Sequence, residues 1–150
     1  MKGFTLLETI VALAIFLVLA SAAATPFLLS RKMAELNAAV EESISLLVLA
    51  RTRTLSSEEA SVYGVHFEEG NATLFKGSVF AEGAADNRRA VFGSSVEVAS
   101  INLLGGGTDV VFSRLSGETT QSGTVLFRLK ANAEKEKILR IERTGVVRRE

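Results

Sequence analysis

Gly3-Phe4-Thr5-Leu6-Leu7-Glu8, then the uncharged run Thr9–Ser30, then Arg31-Lys32: the fold of the remaining chain is read outward from this opening. The run holds 22 residues. As a helix rising about 1.5 Å per residue it reaches roughly 33 Å, the thickness of a bilayer's hydrocarbon core. Ile10, Val11, Leu13, Ile15, Phe16, Leu17, Val18 and Leu19 leave no polar face, which suits lipid or the inside of an assembly better than the surface of a soluble domain. Glu8 stands just inside this segment, where a carboxylate facing lipid costs a few kcal/mol. It is therefore expected to have a partner.

Gly3-Phe4-Thr5-Leu6-Leu7-Glu8 followed by an apolar helix resembles the leader of type IV pilins and type II secretion pseudopilins. The resemblance implies cleavage by a prepilin peptidase between Gly3 and Phe4, N-methylation of Phe4, and an assembly role for Glu8. It further implies a fold of the α+β class, a long N-terminal helix packed on an antiparallel β-sheet head. Elementary chemistry agrees with those roles. Glycine leaves the scissile bond unshielded, and the amine freed on Phe4 attracts a neighbouring subunit's Glu8 far more strongly in a low-dielectric setting than in water.

An ordinary signal peptide is the competing reading. Ala20-Ser21-Ala22 and Ala22-Ala23-Ala24 satisfy its small-x-small rule, with Lys2 as a minimal basic region. Against it stand Glu8 inside the apolar core and a helical pattern that continues past the alanines. Charge does not orient the segment, because Lys2 and the initial amine balance Arg31 and Lys32. The resemblance places the following head in the periplasm or outside, with the helix a single pass of the bacterial inner membrane before it enters a fibre.

Four segments are expected: a leader over 1–3, a transmembrane and assembly helix over 4–30, an amphipathic helix over 31–57 that continues into the head, and a β-rich head over 61–150. Pro26 is expected to kink the first helix, since it lacks a backbone donor. Met33, Leu36, Val40, Ile44, Leu47 and Val48 recur at helical steps, with Glu35, Asn37, Glu41, Glu42, Ser43 and Ser45 on the other side. The helix should stop near Thr54–Ser57.

From Ser61 the period falls to two. Ser61–Phe67 and Ala72–Lys76 read as a hairpin around Glu68-Glu69-Gly70-Asn71. Val79-Phe80, Ala90–Val98, Asp109–Phe112, Thr124–Lys130, Lys137–Arg143 and Val146-Val147 read as further strands, antiparallel because no long periodic crossover separates them. Leu49-Ala50-Arg51-Thr52, Phe112-Ser-Arg-Leu-Ser-Gly117 and Ile141-Glu-Arg-Thr-Gly145-Val-Val-Arg148 resemble the GspH/FimT group of minor pseudopilins. Residues 77–107 carry no such likeness.

Composition names no catalytic chemistry. The chain has 150 residues, 17 basic and 17 acidic, and no cysteine, so disulfides and thiolate metal sites are excluded. His66, the only histidine, reads as a surface or edge residue without an acidic partner at ligand spacing. Gly105-Gly106-Gly107-Thr108 precedes a strand, not the helix a phosphate cradle needs. Glu58-Glu59 and Glu68-Glu69 lack the alternating ligands of a calcium loop. No cofactor and no metal are expected.

The reading is a structural, non-enzymatic subunit of minor type in a type II secretion pseudopilus or type IV pilus. Its partners are other pilin or pseudopilin subunits, the prepilin peptidase, the inner membrane and an assembly platform. The alternative is DNA capture during uptake through Lys137, Arg140, Arg143, Arg148 and Arg149. Some FimT-like pilins bind DNA through Gly-Arg-x-Arg, whereas Gly145-Val146-Val147-Arg148-Arg149 lacks the first arginine; a basic edge strand that discourages aggregation would look the same.

Overall fold

A computed structural model describes residues 3–150, with the side chains of residues 22–26 left outside the description. The expected kink at Pro26 therefore lies outside the described residues. The chain divides into two compact units, Met1–Lys32 and Met33–Glu150. One helix, α1, runs Leu6–Leu55. Among the described residues no helix is long and apolar enough to cross a membrane; the Thr9–Ser30 run contains the five undescribed side chains.

The second unit combines the C-terminal half of α1 with eight strands: β1 Tyr63–Glu68, β2 Asn71–Lys76, β3 Arg88–Val91, β4 Val96–Leu103, β5 Asp109–Val111, β6 Gly123–Leu129, β7 Asn132–Ile141 and β8 Val147–Arg149. They form two four-stranded antiparallel sheets, ordered β3-β2-β1-β5 and β4-β6-β7-β8. The fold is α+β, a helix packed on antiparallel sheets, as expected. Leu36, Val40 and Leu47 from α1, Val65, Phe67 and Leu74 from the first sheet, and Phe127, Leu139 and Ile141 from the second meet in a single core. Each such side chain contributes about 1.5–3 kcal/mol through burial.

The helix stripe differs from the sequence expectation. Leu36, Val40, Ser43, Leu47, Ala50 and Thr54 are fully buried, while Val48 is exposed. Ser43, expected on the polar side, donates from Oγ to the Ala39 carbonyl at 2.8 Å, so its hydroxyl costs little inside. Small residues at these positions let the helix lie close to the sheets. Thr54 Oγ1 likewise donates to the Ala50 carbonyl and accepts the Tyr63 amide at 2.9 Å, joining the helix end to β1.

Two strand expectations are corrected. Val79-Phe80 lies in the β2–β3 connection, not in a strand. Phe80 stacks on His66, ring centroids 4.0 Å apart, and meets Phe75 edge-on; its apolar character serves as a cover. Ala90–Val98 is not one strand. It breaks after Val91 and resumes at Val96 in the other sheet. In the passage the Glu35 carboxylate lies against Gly93, where a Cβ would come 2.6 Å from Oε2 and displace it, and Ser95 Oγ donates to the same carboxylate at 2.5 Å.

Candidate functional site: the N-terminal segment and the junction of the head

The first functional region lies within the first unit. Thr5 precedes the first helical residue and accepts the Glu8 amide on Oγ1 at 3.3 Å, so its hydroxyl caps the helix start. Glu8 then sits in the first turn, where the helix dipole favours a negative charge. Gly3, Phe4 and Glu8 are exposed. So are Leu6, Leu7, Ile10, Leu13, Phe16, Leu17 and Leu19. These side chains point in every direction around the helix axis, so the segment has an apolar surface and no core of its own.

The second region is a junction in the head. Arg51 donates from Nε to the Gly117 carbonyl at 3.1 Å and from Nη2 to the Thr144 carbonyl at 3.3 Å. The Thr119 amide donates to the Arg143 carbonyl at 2.9 Å. Gly145 has φ 76°, and a Cβ there would come within 2.0 Å of the Gly117 carbonyl oxygen; only glycine fits. The three phrases around Arg51, Gly117 and Gly145 therefore meet at one place. Their separate resemblances were legible, but their convergence was not, because no local signal pairs residues so far apart.

The basic tail is dispersed. Arg140 pairs with Glu150 through two hydrogen bonds of 2.5 and 3.0 Å, Arg148 pairs with Glu142 at 3.2 Å, and Arg149 pairs with Glu41 at 2.6 Å. The Arg140 contact holds the Glu150 carboxyl below the usual range. Lys137 and Arg143 have no ion-pair partner among the described residues. Arg140 and Arg143 line an open groove of about 660 Å³ with Leu103, Leu104 and Ser122.

His66 is not an edge residue. It lies on β1, an inner strand, opposite Asp109 of β5. Its Nδ1 is 2.5 Å from Asp109 Oδ1, and its Nε2 is 3.6 Å from Glu68 Oε1. Asn71 Nδ2 donates to Glu68 Oε2 at 2.6 Å and holds that carboxyl below the usual range, with Arg89 adding to the effect. Neither acidic neighbour was read from the sequence: Glu68 lies two residues on along the same strand, and Asp109 is 43 positions away. The described residues contain no cluster of His, Asp or Glu able to hold a metal ion. Glu58 and Glu59 pair with Arg53 and Lys76, and Glu69 with Lys130. Gly105, Gly106 and Gly107 all have positive φ in the turn leading to β5.

Residues 1–24 match the prokaryotic N-terminal methylation motif. No curated protein sequence matches the chain. Among solved structures the chain is similar to the type IV minor pilin FimU of Pseudomonas aeruginosa strain PAO1 in two crystal forms. In one the identity is 15%, covering 76% of this chain and 91% of that chain, with TM-score 0.56. In the other it is 16%, covering 77% and 88%, with TM-score 0.58. At such identity the likeness is one of fold. The chain thus carries a prepilin-type methylation motif at its N-terminus and a type IV pilin-like fold behind it.

Proposed function

We propose that this chain is a minor structural subunit of a type IV pilus or type II secretion pseudopilus, akin to the GspH/FimT group. A prepilin peptidase cuts between Gly3 and Phe4 and Phe4 is N-methylated. The helix anchors the subunit in the bacterial inner membrane as a single pass, and an assembly platform then transfers it into a fibre of pilin subunits. The observation that carries this reading is a capped helix whose apolar side chains are exposed all round, directly within the matched methylation motif. Such a surface is stable only when lipid or neighbouring helices cover it, and both are apolar solvents for it.

Glu8 is the assembly residue in this reading. Its carboxylate neutralises the Phe4 amine of a neighbouring subunit, removing two charges that an apolar surround would penalise. The test combines mass measurement of the mature N-terminus with fibre incorporation of Glu8→Ala. The expected result is methylated Phe4 in both proteins and loss of the variant from fibres. Retention of Met1, or a mature end near Ala23, overturns the processing; normal incorporation of the variant overturns the role of Glu8.

A further inference from the structure

The head leaves one strand edge open beside the helix. β3 is an outer strand of its sheet, paired with β2 alone. The Phe92 amide donates to the Gly70 carbonyl at 2.9 Å, continuing the β2–β3 ladder. Hydrogen bonding alternates along an antiparallel pair. Ala90 and Arg88 therefore bond inward with Phe92, and the amides and carbonyls of Arg89 and Val91 point away from the sheet. β3 pairs with no strand on that side, so no neighbouring strand engages these four groups.

Opposite this edge stands the helix. Glu42, Ser45 and Leu46 of α1 and Arg88–Val91 line a groove of about 360 Å³. An unpaired edge flanked by a helix is the arrangement in which an extended peptide adds as a further strand. Arg88 has no ion-pair partner among the described residues, and Arg89 reaches only the exposed edge of Glu68 at 3.4 Å. Adjacent residues of a strand present opposite faces, so both faces of an added strand meet a guanidinium. Val91, 71% exposed, offers an apolar contact at the next outward position.

We infer that the β3 edge is a docking site for a short extended peptide of a partner protein, acidic opposite Arg88-Arg89 and β-branched opposite Val91. Backbone hydrogen bonds supply the attachment and the two arginines its charge preference. The site lies within the second unit and is independent of whether the chain is processed.

The test uses the full chain in detergent micelles and a fluorescent, end-capped peptide of sequence Thr-Glu-Glu-Val-Val-Thr. Saturable binding is expected, with amide shifts at Arg89 and Val91. Three changes should each weaken it by about tenfold or more: replacing both glutamates by lysine, N-methylating the peptide backbone, and Val91→Pro in the protein. Proline at Val91 removes only an outward, unused donor, so the melting temperature should hold. Arg88→Glu should reverse the preference toward the lysine peptide. No saturable binding, equal binding of the lysine peptide, or unchanged affinity after Val91→Pro overturns the proposal. So does loss with Arg88→Glu but not with N-methylation, which would mean charge attraction without strand addition.

Discussion

Helix α1 contains the same residue types twice and uses them in opposite ways. Leu6, Leu13, Leu17 and Leu19 are at least half exposed, whereas Leu36, Leu46 and Leu47 are buried. Both halves are helical, so propensity does not separate them. In the second half the buried positions fall on one face at alternating steps of four and three, from Leu36 through Val40, Ser43, Leu47 and Ala50 to Thr54, and two sheets cover that face. In the first half no face differs from another. The head half is stabilised by its own chain; in the proposed function the exposed apolar side chains of the N-terminal half are covered by lipid or neighbouring subunits.

Phenylalanines give the largest test of this contrast. Phe127 is fully buried and meets Phe67 and Phe92 edge-on at 6.5 and 5.6 Å. Phe127→Ala should destabilise the head by about 3–5 kcal/mol, read by urea unfolding. Phe16→Ala should leave that unfolding within about 0.5 kcal/mol of wild type and instead weaken partition into micelles or fibres. Equal effects in the unfolding assay would erase the distinction between the halves.

Glycines sharpen it next. Gly145→Ala meets both a left-handed φ and the Gly117 carbonyl, and should cost about 2 kcal/mol or more in thermal denaturation. Gly106→Ala has open space around it and a φ of 74°, so only the conformational cost of about 1 kcal/mol applies. A larger loss at Gly106 would show that the Arg51–Gly117–Gly145 junction does not tie the head together.

At the other end, Thr5→Ala removes the acceptor of the Glu8 amide. It should cost the helix start about 1 kcal/mol, seen as faster amide exchange over the first turn with unchanged exchange in β6 and β7. Equal protection of the first turn in both proteins would remove Thr5 as the cap.

The smallest effect is acid loosening of β8. Hydrogen bonding from Arg140 lowers the Glu150 pKa below its ordinary 4.5. A depressed carboxylate adds stability above its unfolded pKa and loses it as pH falls through the folded value, so the contribution fades only below about 4.5. Amide exchange at Ile138 and Glu150, which bond each other across β7 and β8, should quicken in that window and stay flat near neutrality. The mirror result, quickening on the alkaline side, would exclude the Arg140–Glu150 pair as the cause.

The sequence by itself determined whatever depends on neighbours a few residues apart. It specified the Gly3–Glu8 opening, the apolar run, the helix stop near Leu55 and the hairpin of β1 and β2, because helical period and turn chemistry act over short spans. Only the tertiary structure decided that Ala90–Val98 serves two sheets, that Ser43 is buried, that His66 meets Asp109 and that Arg51 reaches Gly117 and Thr144. These contacts join residues 43, 66 and 93 positions apart, or depend on how closely two surfaces approach. Packing selects among patterns that look alike along the chain, and it acts only once distant segments occupy the same core.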